Sequence, residues 1–226
     1  MIEKYPDLQK NIKRFYGPQE FIKGYQRWIL YFENSDLNFI DKTKEIKDRV
    51  EKVRQARLDS PKRSTREDLS KVPHRFELVS YCSSPSIFIP RTSSENRDYI
   101  PMGFLGSDDI IGDAQAIYNP EPYIFGIINS NMHMVWVRAI AGRFKTDFRY
   151  SSNLVYNTFP IPELTTEKRE EIQSAVFSLL ACREGFSNKT MADLYNPVKM
   201  PKELRQCHKK LDGIIDSIYS KNEFVN

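Results

Sequence analysis

The hydrophobic pattern changes character several times along the chain. Arg27-Trp28-Ile29-Leu30-Tyr31-Phe32 is a compact apolar and aromatic run that predicts a buried strand. Asn34-Ser35-Asp36 supplies helix-capping side chains. Leu37, Ile40, Ile46, Val50 and Val53 then form one apolar stripe with Lys and Arg over the remaining surface. That spacing predicts a helix to about Arg57, ending before Ser60-Pro61. From 61 to 121 the apolar runs shorten and alternate with Pro, Ser and Asp. The runs 86–89, 99–105 and 114–118 predict short strands joined by irregular loops.

Pro122 suits the first turn of a helix. From Tyr123 to Ala141 apolar residues fall on nearly every side, Met132, Met134, Trp136 and Ile140 among them, which predicts one buried helix stopped by Gly142. Residues 143–150, Arg-Phe-Lys-Thr-Asp-Phe-Arg-Tyr, alternate except at Thr146. As a single strand they turn Phe144, Phe148 and Tyr150 inward and Arg143, Lys145, Asp147 and Arg149 outward. Beyond Thr165, a candidate cap, Ile172, Val176, Leu179 and Leu180 mark a helix. Beyond Pro201, Leu204, Cys207, Leu211, Ile214, Ile215 and Ile218 mark another. The two are expected to pack as a small helical appendage.

These elements predict an α+β fold: a small irregular mixed or antiparallel sheet packed with a buried helix, then a C-terminal helical segment. The expected division is a linker and strand region over 1–35, an α/β domain over 36–162 and a helical tail over 163–226. Length and aromatic content allow ample core, and no apolar run is long enough to span a membrane. The N-terminus lacks the pattern of a signal peptide. Three scattered cysteines, Cys82, Cys182 and Cys207, fit free thiols in a reducing cytoplasm.

The net charge of +4 says little, but its distribution says more. Positions 42–75 hold 12 Lys or Arg against 6 Asp or Glu, so the rest of the chain sums to about −2. Such a run fits phosphate binding, and equally a solvated helix with i,i+4 ion pairs. His74, His133 and His208 are scattered, no Cys-x-x-Cys pair occurs, and no glycine-rich phosphate loop or nucleophile elbow appears. Asn119-Pro120-Glu121-Pro122-Tyr123 resembles the Asn-Pro-Pro-Tyr loop of amino-methyltransferases, but Glu121 breaks its spacing, and it reads as a turn before a helix.

Several segments resemble, in order, the C-terminal part of the MmeI-like (type IIL) fused restriction–modification enzymes and their methyltransferase relatives. They are Arg27-Trp28-Ile29-Leu30-Tyr31, Arg49-Val50-Glu51-Lys52-Val53-Arg54, Ser93-Ser94-Glu95-Asn96-Arg97-Asp98-Tyr99-Ile100-Pro101, Ser130-Asn131-Met132-His133-Met134-Val135-Trp136, Phe148-Arg149-Tyr150-Ser151, Val155-Tyr156-Asn157-Thr158-Phe159-Pro160-Ile161-Pro162, Leu194-Tyr195-Asn196-Pro197, and Leu211-Asp212-Gly213-Ile214-Ile215-Asp216-Ser217-Ile218-Tyr219. The resemblance implies a target recognition domain and helical tail. The parent enzyme would methylate adenine N6 from S-adenosylmethionine, with or without a nuclease domain. No catalytic, cofactor or metal residue is expected in this chain. Double-stranded DNA and a methyltransferase core are the implied partners.

On that reading Lys145 donates to guanine and Asp147 accepts from cytosine N4, a pair suited to one G·C base pair. Arg149 and Arg143 stand in the same row, and Asp113 and Gln115 are candidates for a neighbouring base pair. Lys62, Arg63 and Arg66, with Ser93, Ser94 and Arg97, are candidates for phosphate contacts, which set register rather than sequence. Without the resemblance, Lys145 and Asp147 fit an exposed ion-pair ladder as well. An assembly module that packs on a methyltransferase core with little base readout is the alternative; a stand-alone enzyme lacks a reactive constellation.

Overall fold

A computed structural model describes residues 3–77 and 81–219. Along the chain its elements are β1 (Ile12–Tyr16), α1 (Pro18–Lys23), β2 (Trp28–Leu30), α2 (Leu37–Lys42), α3 (Lys44–Leu58), α4 (Arg63–Glu67), β3 (Ser86–Pro90), β4 (Thr92–Ser93), β5 (Gly103–Leu105), β6 (Ile110–Ile111), β7 (Ala114–Tyr118), α5 (Pro122–Ile128), α6 (Asn131–Ile140), β8 (Gly142–Phe144), β9 (Asp147–Arg149), α7 (Thr166–Glu184), α8 (Met191–Leu194) and α9 (Lys202–Tyr219). The fold is α+β, as the hydrophobic pattern predicts. Two compact units form: Met1–Phe15 with Arg27–Tyr81, and Tyr16–Gln26 with Cys82–Asn226.

In the first unit β1 and β2 pair antiparallel, Ile12 opposite Leu30. Leu8, Phe32, Ile40 and Ile46 form its buried centre. The run 27–32 is only partly a buried strand. Trp28 is 61% exposed, whereas Tyr31 and Phe32 beyond the strand are buried. The expected helix over 36–57 is broken at Thr43, whose extended backbone (φ −109°, ψ 97°) ends α2 and caps α3. Arg57 reaches from α3 to the carbonyls of Leu69 (2.8 Å) and Val72 (2.9 Å), so part of the basic run holds a loop in place.

The second unit is built on β3, fully buried and paired antiparallel with both β5 and β7. One of its faces points Ile87 and Ile89 into the main core; the other packs Phe88 with Leu105 and Ile111. The predicted continuous helix over 123–141 is two helices. Ser130 starts the second by accepting a hydrogen bond from the His133 amide (3.2 Å), and the Asn129 side chain donates to the Ile100 carbonyl (2.8 Å). A capping serine thus outweighs the apolar residues on either side. Thr165 caps α7 as expected, accepting from the Lys168 amide at 3.3 Å.

The two long C-terminal helices are not an appendage. Ile172, Val176 and Leu179 of α7 and Leu204, Leu211 and Ile215 of α9 lie in the same buried cluster as Phe125, Ile127 and Ile128 of α5. Their apolar stripes have no other core to join, so they supply much of this one.

Candidate nucleic-acid interface

The segment 143–150 is not one strand but a tight hairpin: β8 and β9 pair Gly142 with Arg149, Arg143 with Phe148 and Phe144 with Asp147. Lys145 and Thr146 form the two-residue loop, with Lys145 at φ 56°, the sign that primed hairpin turns need at that position. β4 continues the sheet on the other side of β9, Thr92 opposite Arg149 and Ser93 opposite Phe148.

Reversal of the chain changes which side chains share a face. Directly paired residues of an antiparallel sheet point the same way. Phe148 and Ser93 are therefore buried together, and Arg143 joins their face at the edge, its guanidinium 4.1 Å above the Phe148 ring. Arg143 also donates to the Thr146 carbonyl (3.1 Å), closing the tip. The opposite face carries Thr92, Arg149, Asp147 and Phe144. The expected row of Arg143, Lys145, Asp147 and Arg149 is thus corrected. Arg143 lies on the other face, Lys145 sits at the tip, and Phe144, expected inside, is 57% exposed.

The hairpin rests on buried polar contacts. α6 runs directly into β8, and His133 Nε2 lies 2.9 Å from the Tyr150 hydroxyl just beyond β9. Burial pulls the His133 imidazole down to about 3, so the ring is neutral, and pushes the Tyr150 phenol well above its usual range. At the other end of α6, Asp212 of α9 accepts from the Asn131 amide (2.7 Å) and the Tyr99 hydroxyl (2.6 Å). Burial raises the Asp212 carboxyl, and those two donors oppose it. His208, stacked on Tyr99 at 3.9 Å and bonded to the Tyr195 hydroxyl (3.1 Å), is likewise pulled to about 3 by burial.

Arg97 is half-buried beside the hairpin. It donates to the Ser93 hydroxyl at 3.5 Å; burial lowers its guanidinium and the Asp147 carboxylate opposes that shift. Ser93 is buried, so its hydroxyl supports Arg97 and does not face solvent. Ser94 is a turn residue: its carbonyl accepts from the Arg97 amide (3.2 Å) and its hydroxyl from the Asn96 amide (3.4 Å). Asp113, at φ 51°, lies in the turn between β6 and β7, with an oxygen 3.9 Å from Arg91 Nε. Gln115 is half-buried on β7 opposite Ile89.

Arg91 joins these parts and escaped the sequence reading. Its carbonyl accepts from the Tyr150 amide at 2.7 Å while its side chain faces Asp113. Its partners lie far off in the chain, so local pattern gives no sign of it. Arg91 faces Asp113 and Arg97 lies beside Asp147, while Arg143, Lys145 and Arg149 stand on the hairpin itself; cations outnumber carboxylates here, an excess of positive charge suited to a polyanion.

Lys62, Arg63 and Arg66 lie in the first unit. Lys62 pairs with Glu77 (2.5 Å), Arg63 with Glu67 (2.9 Å), and Arg66 donates to the Ser60 carbonyl (3.0 Å). Such exposed pairs contribute about 0–1 kcal/mol and open readily to a competing anion. A groove of about 500 Å³ in the same unit is lined by Trp28, Val50, Val53 and Phe76 with Arg49 and Arg75, and none of the candidate base-reading residues borders it. Among the described residues no cluster of three or more His, Cys, Asp or Glu could hold a metal, and no helix is long and apolar enough to cross a membrane.

Fold and site define an α+β module that displays a cationic hairpin on a largely helical core. Residues 1–163 match the MmeI target recognition domain and residues 164–226 the MmeI C-terminal domain. The chain belongs to the MmeI target recognition domain family. It is 43% identical over 224 residues to DNA methyltransferase A of Bacillus subtilis (strain 168), covering 99% of this chain and 25% of that protein. The structure of the type IIL restriction–modification enzyme MmeI in complex with DNA matches with a TM-score of 0.89 at 37% identity, over 96% of this chain and 29% of that one. The chain therefore spans between a quarter and a third of these relatives.

Proposed function

We propose that this chain is the sequence-specific duplex DNA recognition part of a DNA adenine methyltransferase or restriction–modification enzyme, reading bases from the major groove and orienting DNA for a methyltransferase core. The observation that carries the reading is the β8–β9 hairpin, with Lys145 and Arg149 exposed and Asp147 half-buried on it, in a fold that follows a DNA-bound relative at TM-score 0.89. A two-stranded ribbon fits the major groove, and Lys145 and Asp147 carry the donor and acceptor that a G·C pair requires. Arg149, exposed on the same face, has the donors to read a purine or hold a phosphate. Arg97, Arg63, Arg66 and Lys62 are the candidates for phosphate contacts; Asp113 and Gln115 are candidates for a neighbouring base pair. Catalysis, S-adenosylmethionine and transfer to adenine N6 belong to the methyltransferase part of the parent protein, working in the cytoplasm.

Selection of duplexes from a randomised library at low salt, by the 226-residue chain and by Lys145→Glu combined with Asp147→Arg, tests this. One position of the selected site should switch from G to C while the others hold, and affinity should fall steeply as salt rises. Selection of an unchanged site by the double variant, or salt-insensitive binding without sequence preference, would assign the hairpin to structure and favour the assembly module.

A further inference from the structure

We propose that Phe144 is a specificity residue that reads the 5-methyl group of a thymine immediately next to the base pair held by Asp147; this rests on the hairpin being the base-reading element. Phe144 stands directly opposite Asp147 on the face that also carries Arg149 and Thr92, and is 57% exposed. The sequence alternation puts this ring in the core. The two-residue turn at Lys145–Thr146 brings it out among the charged side chains.

The cross-strand partner of Phe144 is a carboxylate, which offers the ring no apolar surface. The stacking that holds the two strands together lies on the other face, between Arg143 and Phe148. A large apolar side chain is thus held at the tip of a ribbon whose neighbours are a hydrogen-bond acceptor and two cations. Directly opposed residues have Cβ atoms about 5 Å apart, one to two base-pair rises. If Asp147 accepts from a cytosine N4 in the major groove, Phe144 meets the same groove edge of the adjacent base. The apolar group there is the thymine methyl, for which a Phe ring is a fitting partner.

The test removes that methyl alone. After selection of the preferred site by the wild-type chain, each thymine is replaced in turn by deoxyuridine and affinities are measured by fluorescence anisotropy. Burial of one methyl predicts about a fourfold loss at a single position, next to the base pair whose identity changes in Asp147→Ala. In Phe144→Ala that thymine-over-uracil ratio should fall to about 1 while the preference set by Asp147 persists. The deoxyuridine scan on the wild type needs no variant, so a misfolded Phe144→Ala cannot obscure the result.

A selected site with no thymine beside the Asp147 pair, or a ratio near 1 at every thymine, overturns the role of Phe144 and leaves the DNA-reading assignment standing. A ratio that survives Phe144→Ala overturns it as well. Loss of association with the methyltransferase part in Phe144→Ala, with DNA discrimination unchanged, would assign the ring to a protein contact. Absence of any sequence preference in the wild-type chain would instead sink the underlying reading.

Discussion

Gly126 is the point at which α5 meets the C-terminal helices. A methyl group built on it would lie 2.5 Å from the Ile172 Cγ2, 2.9 Å from the Val176 Cγ2 and 3.3 Å from the Leu211 Cδ1. All three side chains are fully buried, and two are β-branched with little rotamer freedom. Gly126→Ala therefore forces α5 and α7 apart, an overpacking that costs about 3 kcal/mol, at the upper end of the usual range. Alanine's better helix propensity returns about 1 kcal/mol. The net expectation is a loss of about 2 kcal/mol, or about 4–8 °C in Tm for a chain of this size. Denaturant titration of Gly126→Ala, Ile172→Ala and the double variant measures it. Ile172→Ala alone should cost about 3 kcal/mol, and distinctly less in the Gly126→Ala background, because the new methyl fills part of the hole. A Gly126→Ala variant about 1 kcal/mol more stable than wild type would show propensity acting alone and would refute the close helix contact.

Two further outcomes can be measured on the same material. His133 and His208 are both held down to about 3 by burial against an unfolded value near 6.5, so their contribution to stability is complete above pH 6.5 and is lost as pH falls toward 3. Together they give a slope of about 3 kcal/mol per pH unit within that window. Asp212, whose carboxyl burial raises, gains as pH falls and trims the slope at its acid end. His133→Gln should roughly halve it; a Tm unchanged between pH 7 and 5 would contradict the burial of both rings. Lys145→Gly replaces a left-handed lysine, whose conformation costs about 1 kcal/mol, so stability should hold or rise slightly while the guanine preference disappears. A loss beyond about 1 kcal/mol on thermal melting would mean that the Lys145 side chain braces the tip.

What the sequence made legible divides along physical lines. β3, β7, the cap at Thr165 and the stripe of α9 were readable because each is a local signal reinforced by burial: an apolar run, a capping side chain, a 3.6-residue period. The breaks at Thr43 and Ser130 were missed because a continuing apolar pattern on both sides masks a one-residue interruption, extended backbone at Thr43 and a capping side chain at Ser130. The hairpin was missed for a different reason. Lys145-Thr146 is not one of the Asn-Gly or Asp-Gly pairs that announce a primed turn, and alternation on either side looks like uninterrupted strand. A two-residue loop inverts the parity of everything before it, so Arg143 and Phe144 exchanged faces while Asp147 and Arg149 kept theirs. Asp212 and Arg91 act through partners distant in the chain, where periodicity carries no information.

The division of labour within the hairpin follows from that parity. Phe148, Ser93 and Tyr150 are buried and tied to α6 through His133 and to β3 through Arg91, so the ribbon's path is fixed from one side only. Phe144, Lys145 and Arg149 are exposed, so exchanging them should alter stability by no more than about 0.5 kcal/mol each, whereas half-buried Asp147 also offsets the buried charge of Arg97 and should cost more. A bidentate base contact is worth about 1–3 kcal/mol of discrimination. The same substitution therefore moves specificity by several times more than it moves folding. On the proposed function, that inequality would let one scaffold present different readings of DNA without being rebuilt, because the contacts that bury Phe148, Ser93 and Tyr150 lie on the opposite face of the sheet from Phe144 and Arg149.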